Sequence, residues 1–112
     1  MNSFDAVVVG GGIIGSAIAF RLTKEKLRVA LIDGQAPGRE ASWAAAGMLS
    51  PAPDNPDSIP LVPFGRASLA LYPDFVAELH GITGREVGFR REGTIEVMFS
   101  PEAEKGLSTL IA

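Results

Sequence analysis

Three glycines near the start of the chain have the spacing that lets backbone amides bind a diphosphate group. They are Gly10, Gly12 and Gly15, and they follow directly on an apolar, β-forming run. In such a pattern Gly10 lets the chain turn tightly out of the strand, Gly12 lets the backbone approach the phosphates, and Gly15 lets the next helix lie against the strand. Because the N-terminus of that helix attracts negative charge, the pattern predicts a site for an adenine dinucleotide.

A carboxylate follows at the end of the next apolar run. Asp33 comes after Gly15 at nearly the spacing, about twenty residues, that is expected for the acid that binds the ribose hydroxyls. An acid there favours a free 2′-hydroxyl, because a 2′-phosphate would be repelled and usually requires arginine. NADP is therefore disfavoured, whereas NAD and FAD stay open. The alternative is a glycine-rich turn of another α/β protein in which Asp33 only ends a strand.

The elements that must position these residues can be predicted from apolar patterning. Residues 4–9 and 28–33 are apolar runs typical of buried parallel strands. Between them, residues 13–24 carry apolar side chains at helical spacing. Basic residues gather near the end of that segment, where positive charge suits a helix C-terminus. The order strand, helix, strand predicts a βαβ unit.

Composition limits the classes of function. The chain has 112 residues, 46% of them hydrophobic, with a net charge of −3 and no cysteine. This is enough for one small domain, and the charge argues against a dedicated nucleic-acid binder. The absence of cysteine excludes disulfides, thiolate metal sites and cysteine nucleophiles. The low-charge residues 6–20 are too few and too rich in glycine to span a membrane, and no targeting peptide is recognised, so we expect a cytoplasmic protein.

The second half of the chain begins with a proline-rich stretch. Residues 51–63 predict an irregular extended loop, since each proline removes a donor and fixes φ. Residues 64–71 and 74–80 predict two helical segments with a break or strong kink at Tyr72-Pro73, ended by Gly81 and Gly84.

After Gly84, residues 86–90 and 94–99 predict the two arms of an antiparallel hairpin, because apolar and polar residues alternate in residues 94–99. Ser100 is a candidate cap for a last helix that runs to Ala112. No further parallel strand follows the first two, so we expect the sheet to be incomplete and the chain to be part of something longer.

A second motif follows the Asp33 strand: Ala41-Ser42-Trp43-Ala44-Ala45-Ala46-Gly47-Met48-Leu49. Taken by itself, this small-residue stretch predicts a short helix that packs on the sheet and ends at Gly47. Together with the glycine turn and Asp33, it resembles the D-amino-acid-oxidase-like flavoenzymes, and most closely the glycine oxidases of thiamine biosynthesis. The resemblance continues through Leu71-Tyr72-Pro73 and through residues 88–94. It covers essentially the whole chain, but only the N-terminal third or so of such an enzyme.

The resemblance implies an α/β fold. It comprises a Rossmann-like FAD-binding βαβ unit with an incomplete parallel sheet, followed by helices and an antiparallel hairpin from the start of a substrate domain. The implied division places the FAD-binding unit and a flavin-contacting segment in residues 1–50. The proline-rich loop occupies residues 51–63, and the incomplete substrate domain occupies residues 64–112.

The resemblance also implies FAD as cofactor and assigns residues to its parts. Those around the pyrophosphate are Gly10, Gly12, Ile13, Ile14 and Gly15. Those at the adenosine ribose are Asp33, where these enzymes more often carry glutamate, and Gly34. Those along the ribityl chain and the isoalloxazine, with backbone amides as partners, are Ala41, Ser42, Ala46, Gly47 and Met48. Arg39 is placed either near the adenine or pyrophosphate or in solvent, and Trp43 replaces a smaller residue of some relatives.

The implied reaction is the oxidative deamination of a small amino acid to an imine and then an oxo acid, with release of H₂O₂. In the family, an arginine and an aromatic hydroxyl that hold the substrate come from later segments. We therefore assign no catalytic residue and no metal ligand in this chain. Arg90 and Arg91, at the predicted hairpin turn, are interpreted as solvated charges.

Two other hypotheses stay open at this stage. The chain could be a fragment of an NAD-dependent dehydrogenase, although the motif from Ser42 to Met48 weighs against it. It could also be a non-enzymatic dinucleotide-binding module or subunit. In that case a homo-oligomer, or a partner chain that supplies the missing strands, would complete the sheet.

Overall fold

The computed structural model describes residues 3–51 and 56–93, together with residues 95, 97 and 99. They belong to two compact units, residues 1–48 and 49–112. The first unit carries the glycine turn and Asp33. The second carries most of the helical residues.

The first unit is the predicted βαβ unit. Its elements are β1 (Ala6–Val9), α1 (Ile13–Lys24), β2 (Val29–Ile32) and a short helix α2 (Ala41–Ala44). β1 and β2 pair in parallel, with Ala6 opposite Val29 and Val9 opposite Ile32. The parallel pairing and the bounds of α1 confirm the sequence predictions. The incomplete sheet is also confirmed for the described residues, where these two strands are the whole sheet.

Both strands are shorter than predicted, and an ion pair lies directly before their first residues. The Asp5 carboxylate accepts hydrogen bonds from the Arg28 backbone N–H at 2.8 Å and from Nε and Nη2 of the Arg28 guanidinium at 3.2 Å each. The Arg28 side chain, and then its backbone N–H, lower the pKa of the Asp5 carboxyl below its ordinary value. The pair joins the beginnings of the two strands, at the end of the sheet opposite to the glycine turn.

The first unit does not enclose a hydrophobic core. No hydrophobic side chain among the described residues is buried, and Val9 and Ile32 in the two strands are 82% and 53% exposed. Of the described residues only Gly11 is buried. A two-stranded sheet with one helix leaves much apolar surface in water, and such a sheet normally requires further strands or helices for stability.

The second unit contains a helical segment in a part of the chain where the sequence predicted an irregular loop. A 3₁₀ helix spans Pro56–Leu61, and α3 follows as Val62–Thr83 with Pro63 in its first turn. The loop prediction is wrong over these residues. At the start of a helix, N–H groups have no partner within the helix, so a proline there loses nothing and its fixed φ favours the helical conformation.

The predicted break at Pro73 is also wrong, because α3 is one continuous helix through that residue. Pro73 withholds a single N–H, the one that would bond to the carbonyl of Leu69, while the turns on both sides keep their own hydrogen bonds. Tyr72 also contacts two rings, stacking on Phe89 with centroids 5.7 Å apart and meeting Phe75 edge-on at 6.4 Å. These contacts favour helical backbone around the proline.

Gly84 ends α3 as predicted. It adopts φ of 64° and donates its N–H to the carbonyl of His80 at 2.8 Å. Gly81, the other predicted end, lies inside the helix. In the described part of the chain, no helix combines the length and the apolar character that crossing a membrane requires.

The predicted hairpin does not appear in its first arm. Residues 84–93 have no regular secondary structure, and two strands without a sheet to join are only marginally stable in water. Alternate residues of the second arm, 94, 96 and 98, lie outside the described residues. So does the predicted helix from Ser100 to Ala112.

We expect Pro73→Ala to stabilise the protein by ~1–3 kcal/mol, because alanine restores the hydrogen bond to the Leu69 carbonyl and removes the ring from the helix interior. The change can be measured as a rise in melting temperature followed by circular dichroism. Pro63→Ala is the matched control and should change the free energy of unfolding by less than about 0.5 kcal/mol, because Pro63 lies in the first turn. A loss of stability in Pro73→Ala would contradict the interpretation.

Candidate functional site

The glycine turn joins β1 to α1 with the geometry that its spacing predicted. Gly10 adopts φ of 99°, which disfavours any side chain, and donates its N–H to the carbonyl of Ile32 at 2.7 Å. A Cβ on Gly15 would overlap the carbonyl oxygen of Gly10 and would lie 3.4 Å from Cγ1 of Val8. The tight turn at Gly10 and the close helix–strand approach at Gly15 are therefore real constraints in this chain.

Gly11 is equally constrained, although the spacing pattern leaves its position free. A Cβ there would lie 2.9 Å from Oδ2 of Asp33 and 3.0 Å from Cβ of Pro37. Sequence reasoning missed this residue. The signal was the unbroken run of three glycines, since a motif that needs only the first and third gives no reason for the second.

The Asp33 carboxylate reaches back from the end of β2 to the turn. Its Oδ2 accepts a hydrogen bond from the Gly11 N–H at 2.5 Å, and its Oδ1 accepts one from the Gln35 N–H at 2.9 Å. The N–H groups of Gln35 and then Gly11 hold the pKa of Asp33 below its ordinary value of 3.8, so the group is charged at neutral pH. The Gly34 N–H also interacts with this carboxylate. An ionised carboxylate has about four acceptor positions, which leaves room for a hydroxyl donor.

Ser42 caps α1 from a distant part of the chain. Its Oγ accepts the Ile13 N–H at 2.9 Å, whereas the residue at the N-cap position, Gly12, has no side chain to do so. A Cβ on Gly12 would lie 3.1 Å from that Oγ. The small residues at both positions thus allow α2 to approach the N-terminus of α1.

The N-terminus of α1 keeps two backbone donors open. The first hydrogen bond of the helix runs from the Ser16 N–H to the Gly12 carbonyl at 2.9 Å. The N–H groups of Ile14 and Gly15 have no hydrogen-bond partner among the described residues. Together with the helix dipole, these donors can bind an anion.

The other residues assigned from the sequence lie farther along the same connection. α2 includes Ala41 and Ser42 but ends at Ala44, so the expectation of a helix that reaches Gly47 is wrong. Gly47 has φ of 74° in irregular chain, and Met48 is 78% exposed. No hydrogen bond links Ala46, Gly47 or Met48 to the glycine turn in the described structure. The structure thus brings together the turn, Asp33 and Ser42, and leaves the end of the second motif apart.

The arrangement can bind an anion next to a polyhydroxyl group. Open N–H donors and the positive end of α1 suit a diphosphate, and the charged Asp33 carboxylate suits hydroxyl donors. The described residues contain no group of three or more histidine, aspartate or glutamate side chains placed to hold a metal ion.

Comparison with known proteins agrees with this geometry. The model of the family described as "FAD dependent oxidoreductase" matches residues 5–112. A glycine oxidase of Geobacillus kaustophilus is 41% identical over 101 residues, which cover 90% of this chain and 27% of that protein. A bifunctional ThiO/ThiG protein of Synechocystis is 36% identical over 107 residues, which cover 94% of this chain and 16% of that protein.

A solved structure is similar as well. The crystal structure of glycine oxidase from Geobacillus kaustophilus superposes with a TM-score of 0.86 at 40% sequence identity. The match covers 95% of this chain and 29% of that chain. The chain therefore spans less than a third of the length of each of these relatives.

We expect Gly11→Ala to destabilise the first unit by ~1–3 kcal/mol, because a Cβ would press on Asp33 and Pro37. Dinucleotide affinity, measured by titration with FAD and with NAD, should fall as the Gly11–Asp33 hydrogen bond lengthens. Gly81→Ala is the matched control: it adds a Cβ in open space within α3 and should leave the affinity unchanged. Equal affinity in Gly11→Ala and the wild type would show that the turn tolerates the methyl group.

The hydrogen bonds of Asp33 predict a loss of stability in acid. The folded-state pKa of Asp33 lies below 3.8. The contribution of the charged carboxylate to the free energy of unfolding is therefore complete above pH 3.8 and is lost as the pH falls through the folded-state pKa. Asp33→Asn should therefore melt below the wild type at pH 7, and the gap should shrink at pH values below 3.8. Differential scanning fluorimetry between pH 7 and about 3 measures the gap. A gap that stays constant over this range would contradict the role of the charged carboxylate.

Proposed function

Because the chain belongs to the FAD dependent oxidoreductase family, we propose that it binds FAD at the glycine turn and forms the cofactor-binding part of an amino-acid oxidase. The substrate that we propose is a small amino acid such as glycine. The products would be an imine, which hydrolyses to the oxo acid, and H₂O₂. The names of the similar proteins, glycine oxidase and ThiO/ThiG, support this choice and a place in thiamine biosynthesis.

One observation carries the proposal: the open end of α1 and the charged Asp33 flank the same turn. The N–H groups of Ile14 and Gly15 are free to bind a diphosphate, while the Asp33 carboxylate accepts a hydrogen bond from the Gly11 N–H. In FAD a ribose joins the diphosphate to the adenine. The diphosphate would therefore bind the open N–H groups while the ribose hydroxyls bind the Asp33 carboxylate. The residues present therefore fit the cofactor.

The proposal gives each group of residues a part of FAD. The pyrophosphate would lie against Gly10, Gly12, Ile13, Ile14 and Gly15, and the adenosine ribose against Asp33 and Gly34. The flavin end would lie along Ala41, Ser42, Ala46, Gly47 and Met48. Aspartate is one methylene shorter than the glutamate that is commoner in these enzymes. Here its carboxylate still reaches the turn, because the Gly11 N–H lies within hydrogen-bond distance.

The side chain of Ser42 can also donate a hydrogen bond to the cofactor. Because its oxygen accepts the Ile13 N–H, the hydroxyl proton is free to be donated to an acceptor on the cofactor. The same side chain would thus cap α1 and hold the cofactor beside it.

FAD, when bound, would supply the hydride acceptor, while the protein binds and orients the reactants. The residues of this chain bind the diphosphate, orient the ribose and shape the approach to the flavin. We assign the groups that hold the amino-acid substrate to segments beyond this chain, and the division at residues 50 and 63 stays a prediction. A cytoplasmic location also stays a prediction.

A second candidate is a binding module or subunit that pairs with another chain. The observation in its favour is the uncovered sheet, in which Val9 and Ile32 are exposed. An NAD-dependent dehydrogenase would use the same turn and acid, but nothing in that class of protein requires the second motif.

We expect the full-length protein encoded by the gene to purify yellow, with FAD released on denaturation, and to consume oxygen when supplied with glycine. We expect residues 1–112 alone, supplied with FAD and glycine, to show no useful turnover, because the sheet is largely uncovered and the proposed groups that hold the substrate are absent from them. A colourless protein whose melting temperature rises with NAD would favour the dehydrogenase. Robust turnover by residues 1–112 would overturn the view that the substrate groups lie elsewhere.

A further inference from the structure

Arg39 and Trp43 form a cation–π pair that the βαβ fold does not require. Cζ of the Arg39 guanidinium lies 4.6 Å from the centre of the Trp43 ring, which is within the range of a cation–π interaction. The two residues are four positions apart, at the beginning of α2. Trp43 is 71% exposed, so its ring does not pack in a core of its unit.

Arg39 lies on a stretch of chain that contacts the glycine turn at both ends, and Trp43 follows directly after that stretch. On one side, Pro37 lies so close to Gly11 that an added Cβ would be 3.0 Å from the Pro37 ring. On the other side, the Ser42 hydroxyl holds the Ile13 N–H. Arg39 stands between these two attachments, and the backbone that carries it is therefore placed beside the proposed diphosphate site.

Charge singles out Arg39 among the residues that build this site. The chain has no lysine or arginine in residues 3–20 and none except Arg39 between Arg28 and Arg66. Within the described parts of the chain, no carboxylate lies at ion-pair distance from Arg39. A diphosphate brings two negative charges next to the Asp33 carboxylate, so a cation at this place would balance the site electrostatically.

The contact with the indole can prepare the guanidinium for such a ligand. Cζ of Arg39 lies over the Trp43 ring, and a guanidinium held against a ring face would keep the N–H donors at its edge available for bidentate bonds to phosphate oxygens. An arginine that is already held in one orientation loses less side-chain entropy when it binds. Lysine has the charge but neither the planar face nor the forked donors.

We propose that Trp43 is a positioning residue that holds Arg39 for binding the FAD diphosphate. The inference rests on the proposed FAD site and goes beyond it, because it gives these two side chains a joint role in cofactor affinity. Trp43 acts only through Arg39, whereas Arg39 contacts the cofactor itself.

A double-mutant cycle on the full-length apoprotein tests the proposal, with the FAD dissociation constant read from quenching of flavin fluorescence. Arg39→Gln should weaken binding roughly 10- to 100-fold, the range for loss of a charge-assisted contact. Trp43→Leu should weaken it by about 3- to 10-fold. The double variant should bind as Arg39→Gln does, because the indole has no role without the guanidinium. The salt dependence of binding should be smaller in both variants that lack Arg39.

Three further variants separate positioning from folding and from charge. Trp43→Phe keeps an aromatic face and should bind FAD nearly as the wild type does. Arg39→Lys keeps the charge and should fall between the wild type and Arg39→Gln. Arg21→Gln removes a cation from the last turn of α1, far from its N-terminus, and should leave the dissociation constant unchanged.

The outcomes distinguish this inference from the proposed function. If the wild type does not bind FAD, the proposed function itself fails. If the wild type binds FAD but Arg39→Gln binds as tightly, the inference alone is overturned. It is also overturned if Trp43→Leu weakens binding equally with and without Arg39, since Trp43 would then act independently of the guanidinium.

Discussion

The hydrogen bond from the Gly11 N–H to the Asp33 carboxylate is the interaction on which the arrangement of this site depends. It joins the end of β2 to the turn after β1, at the edge of the sheet where both strands deliver their carboxyl ends. Parallel pairing brings these ends together, and the carboxylate then determines how closely the following loop can approach the turn. Only glycine at position 11 allows that approach, because a side chain would displace both Asp33 and Pro37.

The second attachment, from Ser42 to Ile13, completes a connection that crosses the turn. Between Asp33 and Ser42 the chain is attached to the turn at three places: by the carboxylate, by Pro37 and by the serine hydroxyl. Contacts within the chain therefore hold the donors and the acceptor of the proposed cofactor site. A loop held in this way loses less conformational entropy when a ligand binds.

The glycine turn is closely packed, whereas the sheet that carries it is largely exposed. Gly11 is buried, although no described hydrophobic side chain is. The match to the Geobacillus glycine oxidase covers 90% of this chain but only 27% of that protein. A few hydrogen bonds and glycine geometry can form the turn, whereas a hydrophobic core requires many more residues in contact.

Several errors of prediction came from applying local rules without their context. Prolines at the start of the second unit predicted a loop, yet proline is compatible with the first turn of a helix, and a 3₁₀ helix forms there. Pro73 predicted a break, yet one missing hydrogen bond does not end a helix of 22 residues. A hairpin was predicted with its first arm at residues 86–90, where no regular structure is found. In each case the outcome depended on neighbours that the local pattern does not contain.

The sequence by itself determined the βαβ order, the bounds of α1, the turn at Gly10 and the presence of an acid at the end of β2, because these follow from periodicity, glycine spacing and the chemistry of single residues. Only the tertiary structure decided that Asp33 bonds to Gly11, that Ser42 caps α1 and that the Arg39 guanidinium lies over the Trp43 ring. The partners in the first two contacts are 22 and 29 residues apart. Contacts at such separations depend on the pairing of the strands and on how closely two backbones approach, and neither quantity is present in a local pattern of residues.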